Sequence, residues 1–160
     1  MTILERERLW VLQGERSAYA LGLNDEGDLV HTYWGARLPY ADDYPAAPSG
    51  SGWASFNGPG QTLAEEYPAW AGLKYIEPCL KATFADGVRD VVLRFERAQI
   101  EDDTLTLALR DAVYPLAVTL HYRLHAEHDL IARWVVIRNE GQTPIALDRV
   151  WSAQWHEPPP

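Results

Sequence analysis

Apolar and polar residues alternate with a period of two along most of the chain, which is the pattern of β-strands with one buried face. Shorter alternations begin at Tyr19, Val91 and Leu105. Residues 130–137 are apolar at nearly every position, which predicts a strand covered on both faces. The longest alternation has one apolar and one polar face, formed respectively by Leu116, Val118, Leu120, Tyr122 and Leu124 and by Ala117, Thr119, His121, Arg123 and His125.

Short polar segments rich in Gly, Asp and Asn separate these runs, at residues 24–27, 85–87, 101–103, 126–129 and 139–141. No run has the helical period that βαβ crossovers require. The pattern therefore predicts an all-β fold, an antiparallel β-sandwich that occupies residues 1–160 as a single domain. The residues expected in its core include Trp10, Tyr19, Leu21, Trp34, Phe84, Leu107, Val118, Leu120 and Trp134.

Residues 36–72 interrupt the strand pattern and are predicted to form one long loop within the domain. The segment contains five prolines and is also rich in Gly, Ser and aromatic residues. Disordered segments are poor in aromatic residues, so we expect an ordered loop that packs on something. One helical turn is expected at residues 62–67, ended by Pro68.

Composition excludes several classes of partner. The formal net charge of −9 over 160 residues disfavours nucleic acid and acidic membrane surfaces, which require clustered cations. Cys79 is the only cysteine, so no internal disulfide is expected and a reducing compartment is favoured. The charged N-terminus lacks a signal peptide's apolar run, and no stretch reaches the roughly 18 apolar residues of a membrane span. We therefore predict a cytoplasmic protein.

Catalytic and metal sites find little support in the residue pattern. The adjacent carboxylates at 42–43, 65–66 and 102–103 are not expected to converge on one glycosidic bond, because neighbouring residues on a strand point to opposite faces. The pair at 102–103 is expected in a solvated hairpin turn. His121 and His125 share a strand face but lie about 13 Å apart, too far for one ion, and His128 falls in a turn. Cys79 is expected to be buried and inert. We predict no catalytic residue, no metal and no cofactor in this chain.

The aromatic residues of the loop are the strongest candidates for binding. Trp53, Phe56, Tyr67 and Trp70 either pack the loop down or face a ligand, and the pattern does not decide between these. If the loop touches a sugar, Trp53 or Trp70 would stack on a sugar face and Asn57 would hydrogen-bond a hydroxyl group.

A series of short motifs resembles the opening of the family 36 glycoside hydrolases, the bacterial α-galactosidases. The series covers nearly the whole chain in order and at compatible spacing. It departs from the family pattern at residues 74–78, where the family usually has Asp-Phe-Arg-x-Pro. The matching motifs are Trp10-x-Leu12, Ser17-x-Tyr19, Gly27-Asp28-Leu29-x-His31-x-Tyr33-Trp34-Gly35, Thr62-Leu63-x-x-Glu66-Tyr67-Pro68-Ala69, Asp111-Ala112, Leu116-x-Val118-x-Leu120-x-Tyr122, Asp129-x-Ile131-x-Arg133, Asn139-x-Gly141 and Ser152-Ala153.

The resemblance implies an N-terminal β-supersandwich domain, of which 160 residues would form the first half to two-thirds. In the family a (β/α)8 barrel follows, and its two aspartates hydrolyse terminal α-galactosides with retention. This chain alone is thus expected to be catalytically silent. The family also implies a galactose-containing oligosaccharide as substrate and a homo-oligomer, in whose tetrameric members the long loop reaches a neighbouring subunit's active site. The matching positions lie within residues 49–70.

Two other classes of function remain open. A stand-alone carbohydrate-binding module would bind sugar by itself and lose affinity on Trp53→Ala or Trp70→Ala. A structural oligomerisation domain would bind no sugar and would bury its loop aromatics at a contact. Light scattering and a sugar titration distinguish the two.

Overall fold

A computed structural model describes residues 2–49, 63–71, 74 and 76–155. Across these residues the regular structure is made of β-strands and two short 3₁₀ turns, at Ala41–Asp43 and Ala126–His128. The strands are β1 (Thr2–Arg6), β2 (Leu9–Gln13), β3 (Ser17–Leu23), β4 (Leu29–Ala36), β5 (Leu80–Thr83), β6 (Leu93–Glu101), β7 (Thr104–Asp111), β8 (Leu116–His125), β9 (Leu130–Asn139) and β10 (Ala146–Val150).

Two four-stranded sheets form the two layers of the sandwich, and each follows the order of the chain. Sheet one has the order β1-β2-β3-β4, sheet two has the order β6-β7-β8-β9, and β5 pairs with β10 in a separate ladder. All the strand pairs are antiparallel. The predicted all-β, antiparallel sandwich is confirmed.

The uninterrupted alternation of apolar and polar residues along β8 determines its register in sheet two. The strand pairs with β9 over ten residues without a register shift, from Leu116 opposite Asn139 to His125 opposite Leu130. The apolar face predicted for β8 is fully buried, whereas its polar face stays accessible. A one-residue slip would turn that buried face to solvent, so the pattern itself holds the register.

The core lies between the inner faces of the two sheets. Trp10, Tyr19 and Leu21 of sheet one pack there in one cluster with the apolar face of β8. The core prediction is confirmed for Trp10, Tyr19, Leu21, Phe84, Leu107, Val118 and Leu120, all of which are buried.

Two tryptophans predicted for the core are exposed instead, and the strand edges explain why. Trp34 lies opposite Tyr19 near the end of β4, the edge strand of sheet one, and is 63% exposed. Trp134 lies opposite His121, on the outer face of sheet two, and is 40% exposed. The prediction that residues 130–137 are covered on both faces is also wrong, because exposed and half-buried positions alternate along β9.

The first part of the predicted loop covers the outer face of sheet one. Tyr44 is buried against Val11, Ala18 and Ala20, which form a second apolar cluster. Its hydroxyl group accepts a hydrogen bond from the Gln13 side chain at 3.0 Å. This cover explains why β2 and β3 are buried on both faces.

The described end of the loop consists of bends and isolated bridges, so the predicted helical turn at residues 62–67 is wrong over residues 63–67. A bridge pairs Glu65 with Val30 of β4, and a second pairs Ala69 with Leu80 of β5. Pairing with two strands satisfies the backbone donors and acceptors that a helical turn would otherwise have satisfied.

A single aspartate ties the two sheets together at one end of the sandwich. Asp129 follows the 3₁₀ turn between β8 and β9 with a positive φ of 51°. One oxygen of its carboxylate accepts hydrogen bonds from the backbone N–H groups of Arg16 and Ser17, each at 2.9 Å, and from the Ser17 hydroxyl group at 3.0 Å. The two N–H groups hold the pKa of Asp129 well below its usual range.

Asp129→Asn is expected to remove an acid-sensitive part of the stability. Because the folded-state pKa is depressed, the ionised carboxylate stabilises the fold above the unfolded pKa of about 3.9, and this contribution is lost as pH falls towards the folded-state pKa. Urea unfolding midpoints of the wild type and the variant should therefore differ most above about pH 4 and converge in more acidic buffer. A difference that widens on acidification would contradict the assignment.

Candidate functional site

Residues 63–71 return the long loop to the body of the domain. The first half of this segment lies beside the edge strand β4, where the His31 N–H donates to the Ala64 carbonyl oxygen at 3.0 Å. In the other direction, the Glu66 N–H donates to the Leu29 carbonyl oxygen at 2.9 Å. The segment therefore continues sheet one beyond its edge.

The second half of the segment is held by β5 and its neighbours. The Cys79 N–H donates to the Pro68 carbonyl oxygen at 2.8 Å, and the Trp70 N–H donates to the Leu80 carbonyl oxygen at 2.9 Å. The Val91 N–H donates to the Trp70 carbonyl oxygen at 2.8 Å. Both backbone groups of Trp70 are thus bonded, and the position of its Cα is fixed on either side.

Glu66 lies between these two halves, and its carboxylate is the centre of a buried polar network. The residue is 2% exposed. The Tyr19 hydroxyl group of β3 donates to it at 2.7 Å and the Tyr122 hydroxyl group of β8 at 2.6 Å. Arg133 of β9 donates through Nη1 to Oε1 at 2.6 Å and through Nη2 to the Glu66 carbonyl oxygen at 2.8 Å. One side chain of the loop therefore contacts both sheets.

The negative charge of Glu66 in this network is balanced by the positive charge of Arg133. Burial, followed by the nearby Glu66 carboxylate, raises the pKa of Tyr19 and of Tyr122 well above the usual value, so both remain neutral donors. Burial alone would lower the pKa of Arg133, but Glu66 keeps it above its usual value. The result is a buried ion pair whose carboxylate also accepts hydrogen bonds from two hydroxyl groups, and such additional bonds offset part of the cost of burying the charge.

Two exposed tryptophans, Trp34 and Trp155, lie directly on this network; we call them the aromatic flank. Their ring centres are 4.8 Å apart, and each ring is in a T-shaped contact with the ring of Tyr19. The Arg133 guanidinium group lies between the rings of Tyr122 and Trp155, at 4.9 and 5.5 Å from their centres. The flank is an apolar surface patch with a cation beneath it.

Trp70 is the member of the predicted sugar-binding set that the structure describes. Its side chain is 46% exposed, and the Lys81 ammonium group lies 4.8 Å from the ring centre. Trp53 and Asn57 lie outside the described residues. The contact of these three side chains with a sugar therefore stays a prediction.

Acid–base chemistry at the described carboxylates is disfavoured by their environments. Glu65 pairs with Lys74 while Glu66 points into the interior, so the adjacent pair does not converge on a common point.

His121 lies on β8 and stacks on Trp134 with ring centres 4.8 Å apart. Within the described ranges no three His, Cys, Asp or Glu residues are grouped to hold a metal. No helix in the same ranges is long and apolar enough to cross a membrane.

Sequence reasoning did not find the network, although two signals for it exist. Arg133 is a cation within the apolar run of residues 130–137, and Glu66 stands next to Glu65 between Leu63 and Tyr67, in a segment rich in apolar and aromatic residues. A charged residue within an apolar segment indicates a buried partner. The partner itself lies 67 residues away, and no local pattern connects the two.

Comparison with known proteins identifies the chain's relatives. Residues 27–158 match the model of the glycosyl hydrolase family 36 N-terminal domain. Alpha-galactosidase 1 of Pediococcus pentosaceus is 23% identical over 184 aligned residues, which cover 96% of this chain and 25% of that protein.

Solved structures share the fold. The galactosidase domain of alpha-galactosidase-sucrose kinase, AgaSK, superposes with a TM-score of 0.81 at 23% identity, covering 95% of this chain and 25% of that one. A variant of the α-galactosidase AgaA from Geobacillus stearothermophilus, in complex with raffinose, superposes with a TM-score of 0.75 at 23% identity, covering 91% and 24%. The chain thus spans about a quarter of the length of the relatives it matches.

Proposed function

Because this chain belongs to the N-terminal domains of the family 36 glycosyl hydrolases, we propose that it is the non-catalytic N-terminal domain of an α-galactosidase, an enzyme that hydrolyses terminal α-galactosides. The observation that carries the proposal is the family match over residues 27–158. The burial of Glu66 and the pairing of Glu65 with Lys74 support a non-catalytic role, since neither side chain is placed to reach a glycosidic bond.

The proposed role of the domain is to shape the mouth of the active site and a subunit interface. The long loop supports the first part, because its returning segment is rigidly held and still leaves Trp70 half-exposed. The aromatic flank supports the second part, since exposed tryptophans are enriched at protein interfaces. The substrate class we propose is a galactose-containing oligosaccharide, in line with the raffinose bound to AgaA.

One experiment tests the proposal as a whole. The protein is purified from its source cell, its intact mass and its mass by light scattering are measured, and hydrolysis of raffinose and a nitrophenyl α-galactoside is assayed. We expect an intact mass several times 18.1 kDa, a larger mass in solution and release of galactose. The 160-residue chain alone is expected to be inactive. An intact mass of 18.1 kDa without activity would overturn the proposal in favour of a free-standing binding or assembly domain.

Trp70→Ala in the same natural protein is expected to raise KM for raffinose by about three- to tenfold, the loss of one stacking contact. Its kcat should remain within about twofold of the wild type, because the residue binds substrate and takes no part in the chemical step. Trp151→Ala is the matched control, since Trp151 is 43% exposed and carries the Arg149 guanidinium group over its ring. Equal KM effects of the two substitutions would contradict a sugar contact by Trp70.

A further inference from the structure

We propose that Glu66 is a positioning residue: its carboxylate locks the base of the long loop between the two sheets and thereby sets where Trp70 meets the substrate. The effect on substrate rests on the proposed function. The locking of the loop rests on the described contacts alone.

The contacts of Glu66 define a position from three directions. Its carboxylate is bonded from β3 by Tyr19, from β8 by Tyr122 and from β9 by Arg133. Arg133 also donates a hydrogen bond to the backbone carbonyl oxygen of Glu66, so it fixes the backbone as well as the side chain of this residue. Because these donors belong to both layers of the sandwich, the loop base cannot shift without breaking contacts to one sheet.

The location of the network argues for placement over simple stabilisation. A buried ion pair contributes little net stability compared with a well-packed apolar group of the same size. The Glu66–Arg133 pair nevertheless takes the place of such a group at the returning segment of the loop, beside a core of aliphatic and aromatic residues. A charged pair with directed hydrogen bonds defines one geometry, whereas apolar packing tolerates several.

The position set at Glu66 passes to Trp70 through a short backbone segment in which Pro68 and Trp70 are hydrogen-bonded to Cys79 and Leu80. Only Tyr67, Pro68 and Ala69 lie between the two residues. Tyr67 and Ala69 are buried, and Pro68 fixes one φ angle and accepts a hydrogen bond from Cys79. A displacement of Glu66 is therefore expected to displace the Trp70 ring as well.

The test compares Glu66→Gln with a matched control in the natural protein. Glutamine keeps the size of the side chain and removes the charge that Arg133 pairs with, while Tyr122→Phe removes one donor and leaves the ion pair in place. Val118→Ala is the control, because Val118 is fully buried on β8 but lies outside the network. For each variant, amide hydrogen exchange is measured at Glu66, Trp70 and Val91 and along β7 and β8, together with KM and kcat for raffinose.

For Glu66→Gln we expect exchange at Glu66, Trp70 and Val91 to rise at least about tenfold more than exchange along β7 and β8. KM for raffinose should rise about tenfold with kcat within about twofold, as expected for lost positioning of a binding contact. Tyr122→Phe should produce a smaller change with the same pattern. Val118→Ala should raise exchange across the sheet and leave KM unchanged.

Uniform exchange across the sheet in Glu66→Gln would show that the network only stabilises the sandwich and would overturn the proposal. Loosened exchange at the loop base with an unchanged KM would overturn the step from Glu66 to substrate. A natural protein without α-galactosidase activity would refute the proposed function instead. In that case the exchange pattern alone would still decide whether Glu66 locks the loop.

Discussion

Arg133→Met is expected to lower the free energy of unfolding of this domain by about 3–5 kcal/mol, the cost of leaving one partner of a buried ion pair without its counter-charge. The Arg133 side chain is 7% exposed and that of Glu66 is 1% exposed, so water cannot replace the lost guanidinium group. Methionine keeps an unbranched apolar side chain along the path of the arginine stem and removes the guanidinium group with its charge. Urea unfolding at neutral pH measures the change.

Two further variants make this prediction specific. Arg138→Met changes the same residue type on the exposed face of the same strand and should change stability by less than about 0.5 kcal/mol. The double variant Glu66→Gln with Arg133→Met leaves neither charge buried and should recover part of the stability that Arg133→Met loses. Equal losses for Arg133→Met and Arg138→Met would mean that the pair does not exist in solution.

The strands and turns could be predicted because the residue patterns that indicate them lie within short stretches of the sequence. Alternation along residues 105–109 and 116–124 indicates strands and also which residues point inward, since the period of two determines the face. The turn at 101–103 is likewise a local feature, in which Asp102 takes a positive φ of 50° that Asp tolerates better than most residues. Hence β7 and β8 were predicted together with their buried faces.

The Glu66–Arg133 network could not be predicted because its information is spread along the chain. Four segments contribute to it, from Tyr19 in β3 to Arg133 in β9, and only the packing of two sheets brings them together. Adjacent glutamates are more often solvated than buried, so the pair at 65–66 does not by itself indicate that Glu66 is buried.

The two tryptophans wrongly predicted for the core show a second reason why sequence patterns fail. The pattern indicates which face of a strand a residue is on, but not whether another layer covers that face. Trp34 lies opposite the buried Tyr19, on the correct side of sheet one, but near the end of an edge strand. Trp134 is predicted for the core from its place in the apolar strand at residues 130–137, although its cross-strand partner His121 belongs to the polar face of β8. Large aromatic residues on outer faces and edges indicate a contact surface as readily as a core.

Leu120→Ala is expected to lower the free energy of unfolding by about 2–5 kcal/mol, because the removed methyl groups leave a cavity between the sheets. Leu120 is fully buried and lies between Leu107 and Val135 in the register of sheet two. Trp134→Ala removes a much larger side chain from a neighbouring position on β9 and should cost only about 1 kcal/mol, mainly the stacking on His121. Urea unfolding of both variants and the wild type measures the contrast.

The comparison of Leu120→Ala with Trp134→Ala is informative because side-chain size alone would predict the larger loss of stability for the tryptophan. A core tryptophan replaced by alanine costs about 3–5 kcal/mol, as much as or more than a core leucine. If Trp134→Ala destabilised the chain by that amount, the outer face of sheet two would have to be covered in solution, and the effect would then weaken on dilution as a self-associated contact dissociates. A small, concentration-independent loss would establish that burial follows the alternation of β8 and not the apolar character of residues 130–137.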